Sequence, residues 1–218
     1  KKGNYLNWIS KFIKPKINSL LKKRASKNEE TLWTTCKCKN LIYKEDLKIN
    51  FNCCPKCGAH HKLTCNERFQ LFFDNKEYEI IETPVPHDDP LNFVDQKKYT
   101  DRLKVARKIT NQNDAVAIAK GKLNKINVTV GSQDFRFIGG SFGAASGEAF
   151  IAGVQHAIDN KTPFIFFSCS GGQRMMESSI ALMQMSRTTL AITELKKNKL
   201  PYIVVMTDPT TGGVTASW

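Results

Sequence analysis

Phe164-Ile165-Phe166-Phe167-Ser168-Cys169-Ser170-Gly171-Gly172-Gln173-Arg174-Met175 is the stretch that decides the fold. An apolar, aromatic-rich run stops at Ser-Gly-Gly, and a helical pattern follows from about residue 174 to 197. A short apolar run bounded by turn residues reads as a buried strand. Glycines at a strand-to-helix turn let backbone approach a ligand closely. They also leave N–H groups pointing outward, where such groups can hold a developing oxyanion. A tight turn with no chemistry has the same local signature.

Downstream the pattern repeats. The helix has apolar residues at Met176, Ile180, Met183, Leu190 and Leu195, and its methionines read as core filler. Tyr202-Ile203-Val204-Val205-Met206 is a second buried strand, ending in Thr207-Asp208-Pro209-Thr210-Thr211-Gly212-Gly213-Val214. Strand, Gly-Gly turn, helix, strand, Gly-Gly turn is a parallel βαβ order. Both glycine turns then lie at the C-terminal edge of a sheet, where ligands of such sheets sit.

Upstream, residues 114–120 and 126–131 read as an antiparallel hairpin with a five-residue loop at 121–125. Residues 138–148 are rich in small side chains and open a helix with Phe150, Val154, Ala157 and Ile158 on one face. Those small residues suit a tight turn, close packing or phosphate approach. His156 on this helix and His87 in the Pro-rich stretch 83–90 read as surface residues. Residues 66–82 and 97–109 read as helices.

The chain has 218 residues and a formal charge of +13. That length suits one sizeable domain plus a small module, and no apolar run is long enough for a membrane span. Residues 1–30 hold nine Lys and Arg against two Glu. A basic stretch of this kind suits an anionic partner such as nucleic acid, acidic lipid or an acidic protein face, or is a solvated tail. Its apolar positions are partly helical, and Pro15 interrupts them. Six of seven cysteines fall between Cys36 and Cys65, with no secretory signal before them, so metal in a reducing compartment is expected rather than disulfides. Cys54-x-x-Cys57-Gly58 has the form of a zinc knuckle, and Cys36-x-Cys38 stands where a second would be. The expected ligands are Cys36, Cys38, Cys54 and Cys57 around one structural Zn²⁺, with Cys53, His60 or His61 as substitutes. Cys65 lies outside the spacing and reads as packed. The expected organisation is a basic arm and linker (1–31), a four-Cys zinc ribbon (32–66) and an α/β domain (67–218).

Several pieces together resemble one family. They are Trp33-Thr34, Cys54-Pro55-Lys56-Cys57, Lys98-Tyr99-x-Asp101-Arg102-Leu103, Gly139-Gly140-Ser141-x-Gly143, Ser170-Gly171-Gly172-x-Arg174-Met175, Leu182-Met183-Gln184-Met185, and residues 200–214. In that order they resemble the β subunits of bacterial acetyl-CoA carboxylase carboxyltransferase. The resemblance implies a zinc ribbon followed by a crotonase-like (ClpP/crotonase) domain of ββα repeats, here truncated at its C-terminus. It implies transfer of a carboxyl group from carboxybiotin, carried on the biotin carboxyl carrier protein, to acetyl-CoA, giving malonyl-CoA for fatty-acid synthesis. It implies a cytoplasmic α2β2 assembly with the carboxyltransferase α subunit, which activity requires, alongside biotin carboxylase, and it implies ATP and nucleotide binding. The Cys36-x-Cys38 knuckle is one residue shorter than the family spacing.

Carboxyl transfer needs a carbanion at the acetyl methyl, hence stabilisation of an enolate oxygen. Gly171 and Gly172 are the expected catalytic donors. Gly212 and Gly213 are expected to bind substrate or line the subunit boundary. Arg174 pairs with an anionic group of CoA or forms a salt bridge at the helix start. No side-chain base is demanded, because a biotin nitrogen can take the proton. Two rival readings are a Cys169 nucleophile, which lacks the Gly-x-Ser-x-Gly elbow, and a zinc-ribbon nucleic-acid-binding protein using the basic arm.

Overall fold

A computed structural model describes residues 32–217, in two compact units that divide between His61 and Lys62. The basic arm, and every expectation placed on it, lies outside the described residues.

In the first unit, β1 (Trp33–Thr35) pairs antiparallel with β2 (Leu41–Tyr43), and α1 (Lys44–Ile49) follows directly. Trp33 and Tyr43 are opposite each other, with ring centroids 5.3 Å apart. Among the described residues the unit's buried centre is Cys36, Ile42, Leu47 and Cys54. The β1-β2 hairpin bends through the first knuckle, and α1 leads toward the second.

The second unit begins with α2 (Cys65–Phe72), capped reciprocally by Thr64 and Glu67. The helix expected over 66–82 ends at Phe72. Asn75 takes a left-handed φ of 53°, and β3 (Tyr78–Ile81) pairs along the edge of a sheet. Pairing of Tyr78, Ile80 and Ile81, all good strand formers, outweighs the helical period. After α3 (Tyr99–Thr110) come β4 (Val116–Leu123) and β5 (Ile126–Gln133), paired antiparallel from Val116↔Gln133 to Leu123↔Ile126. The loop is thus two residues, not five. Asn124 (φ 50°) and Lys125 (φ 68°) both adopt left-handed backbone, as the tight hairpin turn matching strand twist requires. Their N–H groups donate to Asp74 at 2.9 and 2.8 Å, which fixes the turn.

From β5 the chain runs through α4 (Ala144–Asp159) to β6 (Phe164–Ser170), then α5 (Ser178–Lys197), β7 (Tyr202–Thr210) and the short α6 (Gly212–Thr215). Sheet order is β3-β4-β5-β6-β7, with β5-β6 and β6-β7 parallel. All seven residues of β6 are buried, as a strand covered on both faces must be. Phe164 and Phe166 join Ile118, Phe150, Val154 and Leu195 under α4 and α5; Ile165 and Phe167 join Cys65, Phe69, Phe73 and Val130 under α2. Each such side chain contributes about 1.5–3 kcal/mol by leaving water.

The helix after β6 starts later than the sequence suggests. A 3₁₀ turn (Met175–Glu177) precedes it, and its first residue, Ser178, has a positive φ of 48°. Its buried face is Ala181, Gln184, Thr188 and Leu195, whereas Met183 and Leu190 are exposed and Ile180 is half-buried. Gln184 lies where a Cβ on Gly147 of α4 would be, so small and polar residues make that helix contact. Met175 and Met183 are consequently surface residues, not core filler.

Acid should loosen the hairpin turn. The N–H groups of Lys125 and Asn124 hold the Asp74 carboxyl below its usual range. A depressed folded-state pKa stabilises above the unfolded value of about 4 and loses that contribution as pH falls through the folded one. Protection of the Asn124 and Lys125 amides against hydrogen exchange, relative to intrinsic rates, is expected to fall in that window. Asp74→Asn should reproduce the loss at neutral pH.

Candidate active site and metal centre

The two glycine turns meet at the C-terminal edge of the sheet. Gly172 and Gln173 lie within 3.8 Å of the Cβ position of Gly213. The first turn is stitched to the loop before α4. Gly171 N–H donates to the Gly139 carbonyl at 2.9 Å, Phe142 N–H to Gly172 at 2.9 Å, and Arg174 N–H to Phe142 at 2.8 Å. Gly172, at φ +128°, donates to the Ser170 hydroxyl at 3.1 Å. Gly140 (φ +63°) lies so close to β6 that a Cβ there would collide with the Cys169 carbonyl oxygen. Both expected catalytic amides, of Gly171 and Gly172, are therefore already hydrogen-bonded. They fasten two loops together rather than facing a substrate.

The second turn differs. Gly212 and Gly213 open α6, and neither N–H has an acceptor among the described residues. A Cβ on Gly212 would meet nothing within 4 Å, so the space beside it is open. Gln173 holds this turn in place, donating to the Gly213 carbonyl at 3.2 Å and the Ser217 hydroxyl at 2.8 Å. The sequence carries two indistinguishable Gly-Gly signals. The pairing of the first with Gly139 separates them, and no local pattern reveals it.

Arg174 does not face a ligand. It is 1% exposed, and all five donors are taken. Its fork binds both oxygens of Asp114, at 2.5 and 2.8 Å. Further bonds reach Tyr99 Oη, Glu177, and the Ser141 hydroxyl and carbonyl. Burial alone would lower its pKa, but the Asp114 carboxylate raises it, so the guanidinium stays charged. Glu177 also accepts from Tyr99 Oη at 2.6 Å and from Ala144 N–H at 2.6 Å. That carboxylate occupies the N-terminus of α4, leaving no room for the phosphate approach considered for residues 138–148. Tyr99, Asp114, Ser141 and Glu177 are residues that sequence reasoning did not assign to the site. Tyr99, in Lys98-Tyr99, and Ser141, in Gly139-Gly140-Ser141, carried a signal only as parts of a family resemblance, and Asp114 and Glu177 carried none.

Burial raises the Cys169 thiol pKa, and its sulfur lies 3.6 Å from the Asp208 carbonyl, which disfavours a nucleophilic thiolate. His87 is exposed. His156 is half-buried, with Nδ1 3.0 Å from the Thr129 hydroxyl. It borders a cavity of about 650 Å³ at the opposite edge of the sheet, which includes neither glycine turn.

In the first unit the sulfurs of Cys36, Cys38, Cys54 and Cys57 all lie within 4.8 Å of one another. Cys36–Cys57 is 3.6 Å and Cys38–Cys54 is 3.9 Å. A tetrahedral site with metal–sulfur bonds of about 2.3 Å has edges of about 3.8 Å, so these residues fit a metal ion. The shortened first knuckle still delivers Cys36. Lys39, at φ +64°, closes the turn, with Cys36 N–H donating to the Asn40 carbonyl at 3.0 Å. Asn40 holds the Cys38 thiol down to about 6. Although Ala59 N–H favours its thiolate, Cys57 is pushed up to about 12 by the Cys54 and Cys38 sulfurs. Four clustered thiolates require a cation. Cys53 pairs with His60 Nδ1 at 3.3 Å, outside the cluster, and Cys65 belongs to the second unit, donating to Ser132.

Comparison with known proteins identifies the family. Residues 89–217 match the carboxyl transferase domain family. The chain is 51% identical to the acetyl-coenzyme A carboxylase carboxyl transferase subunit beta of Pelagibacter ubique over 98% of its own length and 70% of the relative's. Identity to the proteins of that name from Jannaschia sp. and Azorhizobium caulinodans is 45% and 47%, over 98% of this chain and 67% and 71% of theirs. Among solved structures, the transcarboxylase 12S hexamer core with hydrolysed methylmalonyl-coenzyme A superposes with a TM-score of 0.58. It is 25% identical and covers 72% of this chain and 28% of that one. A Pseudomonas malonate decarboxylase hetero-tetramer in complex with malonate, 20% identical over 71% of this chain and 55% of that one, superposes at 0.53 and shares the fold. The α/β domain thus has the crotonase-like carboxyltransferase fold. Nothing in these relatives favours nucleic acid or ATP as a ligand of the described residues, and no described helix is long and apolar enough to cross a membrane. Similarity of this extent, along nearly the whole chain, places it in one family: the chain belongs to the carboxyl transferase beta subunits of acetyl-coenzyme A carboxylase.

Proposed function

We propose that the chain is the carboxyltransferase β component that carries the carboxyl group of carboxybiotin to acetyl-CoA, acting with an α subunit and a biotin carrier protein. The observation that carries this reading is the 51% identity to a protein of that name over 98% of the chain. Carboxybiotin supplies both the carboxyl group and, once that group leaves, a nitrogen able to take a proton. One C–H bond of the acetyl methyl breaks, one C–C bond to the carboxyl carbon forms, and biotin and malonyl-CoA result. The negative charge passes through the thioester carbonyl oxygen. What this chain contributes is a place to hold that charge. Gly212 and Gly213 carry two adjacent N–H groups without acceptors among the described residues, at the sheet edge where β7 gives way to α6. Gly171 and Gly172 take a supporting role, fixing the neighbouring loop through Gly139 and Ser170.

Gly212→Pro tests the donor role with little damage to the fold. Proline is tolerated at the first position of a helix, and Thr211 already has the extended backbone (ψ 166°) that a following proline requires. In the assembled enzyme the variant should fold normally and lose about 10²–10³-fold in kcat, the effect of removing one such donor. Undiminished turnover would remove the assignment.

We also propose that the four-Cys cluster holds structural zinc. Zinc binding to four thiolates supplies on the order of 10–16 kcal/mol in small peptides, far more than a buried centre of four residues provides. Metal analysis should find one zinc per chain. Cys54→Ser should abolish it and strip amide protection from residues 32–61.

A further inference from the structure

Two cations near the C-terminal edge of the sheet have no acidic partner among the described residues. Arg68 lies on α2, half-buried, with its guanidinium 4.9 Å from the centre of the Phe167 ring. Lys62 places its ammonium 3.4 Å from the centre of the Phe135 ring. Neither forms an ion pair with a described residue. The nearby acids are spoken for. Asp134 is bound by the side chain of Arg136 at 2.6 Å and by its N–H at 2.9 Å, and Glu67 closes the cap of α2. Burial pulls the Arg68 pKa down, the signature of a cation in a poorly solvated place. Such an arrangement costs stability unless an anion is supplied.

Both cations lie within electrostatic reach of Cys169, whose thiol they favour as thiolate against burial. Cys169 is bonded to the Asp208 carbonyl, four residues before Gly212. Phe135 follows the end of β5 and Phe167 lies near the end of β6, so both charges sit toward the sheet edge that carries the free amides. We infer that Arg68 and Lys62 bind the phosphate groups of the coenzyme A portion of the thioester substrate while its carbonyl lies at Gly212 and Gly213. This rests on the function proposed above. A guanidinium fork and a mobile ammonium suit phosphate, and the flat rings beneath them keep both side chains pre-positioned. The role is one that Arg174, locked in the core, does not fill.

The test uses the assembled carboxylase with the full-length subunit. It compares acetyl-CoA with acetyl-pantetheine, a thioester without the nucleotide phosphates. Arg68→Met and Lys62→Met should each raise KM for acetyl-CoA about tenfold with kcat unchanged, and leave acetyl-pantetheine kinetics unaltered. Added salt should raise the wild-type KM for acetyl-CoA but not for acetyl-pantetheine. Arg68→Lys, which keeps the charge, guards against misfolding and should retain most of the wild-type KM. Equal changes for both thioesters, or no change for either, would overturn the inference and leave the proposed function standing. Failure of the wild-type enzyme to carboxylate either thioester would instead overturn that function and this inference with it.

Discussion

The guanidinium of Arg174 is the point on which the glycine-turn edge of the sheet depends. It ties α3 through Tyr99, the entry to β4 through Asp114, the loop before α4 through Ser141, and its own turn through Glu177. One cation meets two carboxylates here. Part of the excess negative charge is offset by Ala144 N–H at the positive end of α4, and part by Ala115 N–H and the Ser146 hydroxyl on Asp114. A network of this kind specifies geometry more than it adds stability, because burying the charges costs nearly what their pairing returns. The strict demand is that no member be left without its partners.

That constraint explains how the two glycine turns divide their work. Arg174 fixes the segment after β6 in one position, and its own N–H closes on Phe142. The amide of Gly171 is then carried against Gly139. The 170–174 turn becomes a rigid wall, with Gln173 reaching across to hold Gly213 and Ser217. The free amides are left on the other turn. Rigidity behind and openness in front is the arrangement a charge-stabilising site needs, since donors must not reorganise when charge develops.

The four-Cys cluster follows a different logic. Among the described residues the first unit buries little apolar surface, and four sulfurs converge on one point at its centre. Convergence tolerates a shortened knuckle because Lys39 accepts left-handed backbone where a longer loop would have supplied the bend. Two positive-φ residues, Lys39 and Gly58, thus aim the two cysteine pairs.

The buried β6, the parallel β6-β7 pairing, the glycine turns at one edge and the four cysteines were all legible in the sequence, because each rests on local composition and spacing. The apolar run of β6 is buried throughout, but the matching run 202–206 of β7, expected to be buried as well, forms the last strand of the sheet and has no buried residue. Neighbours far along the chain decided the rest. Residues 78–81 became a strand because an edge of β4 was available, and Met183 and Leu190 stayed exposed because Gly147 admitted Gln184 instead. Arg174 became a core cation because Asp114, sixty residues earlier, met its fork. Which glycine amides remain free is a question of hydrogen-bond partners, and a one-dimensional pattern does not contain the partner's position.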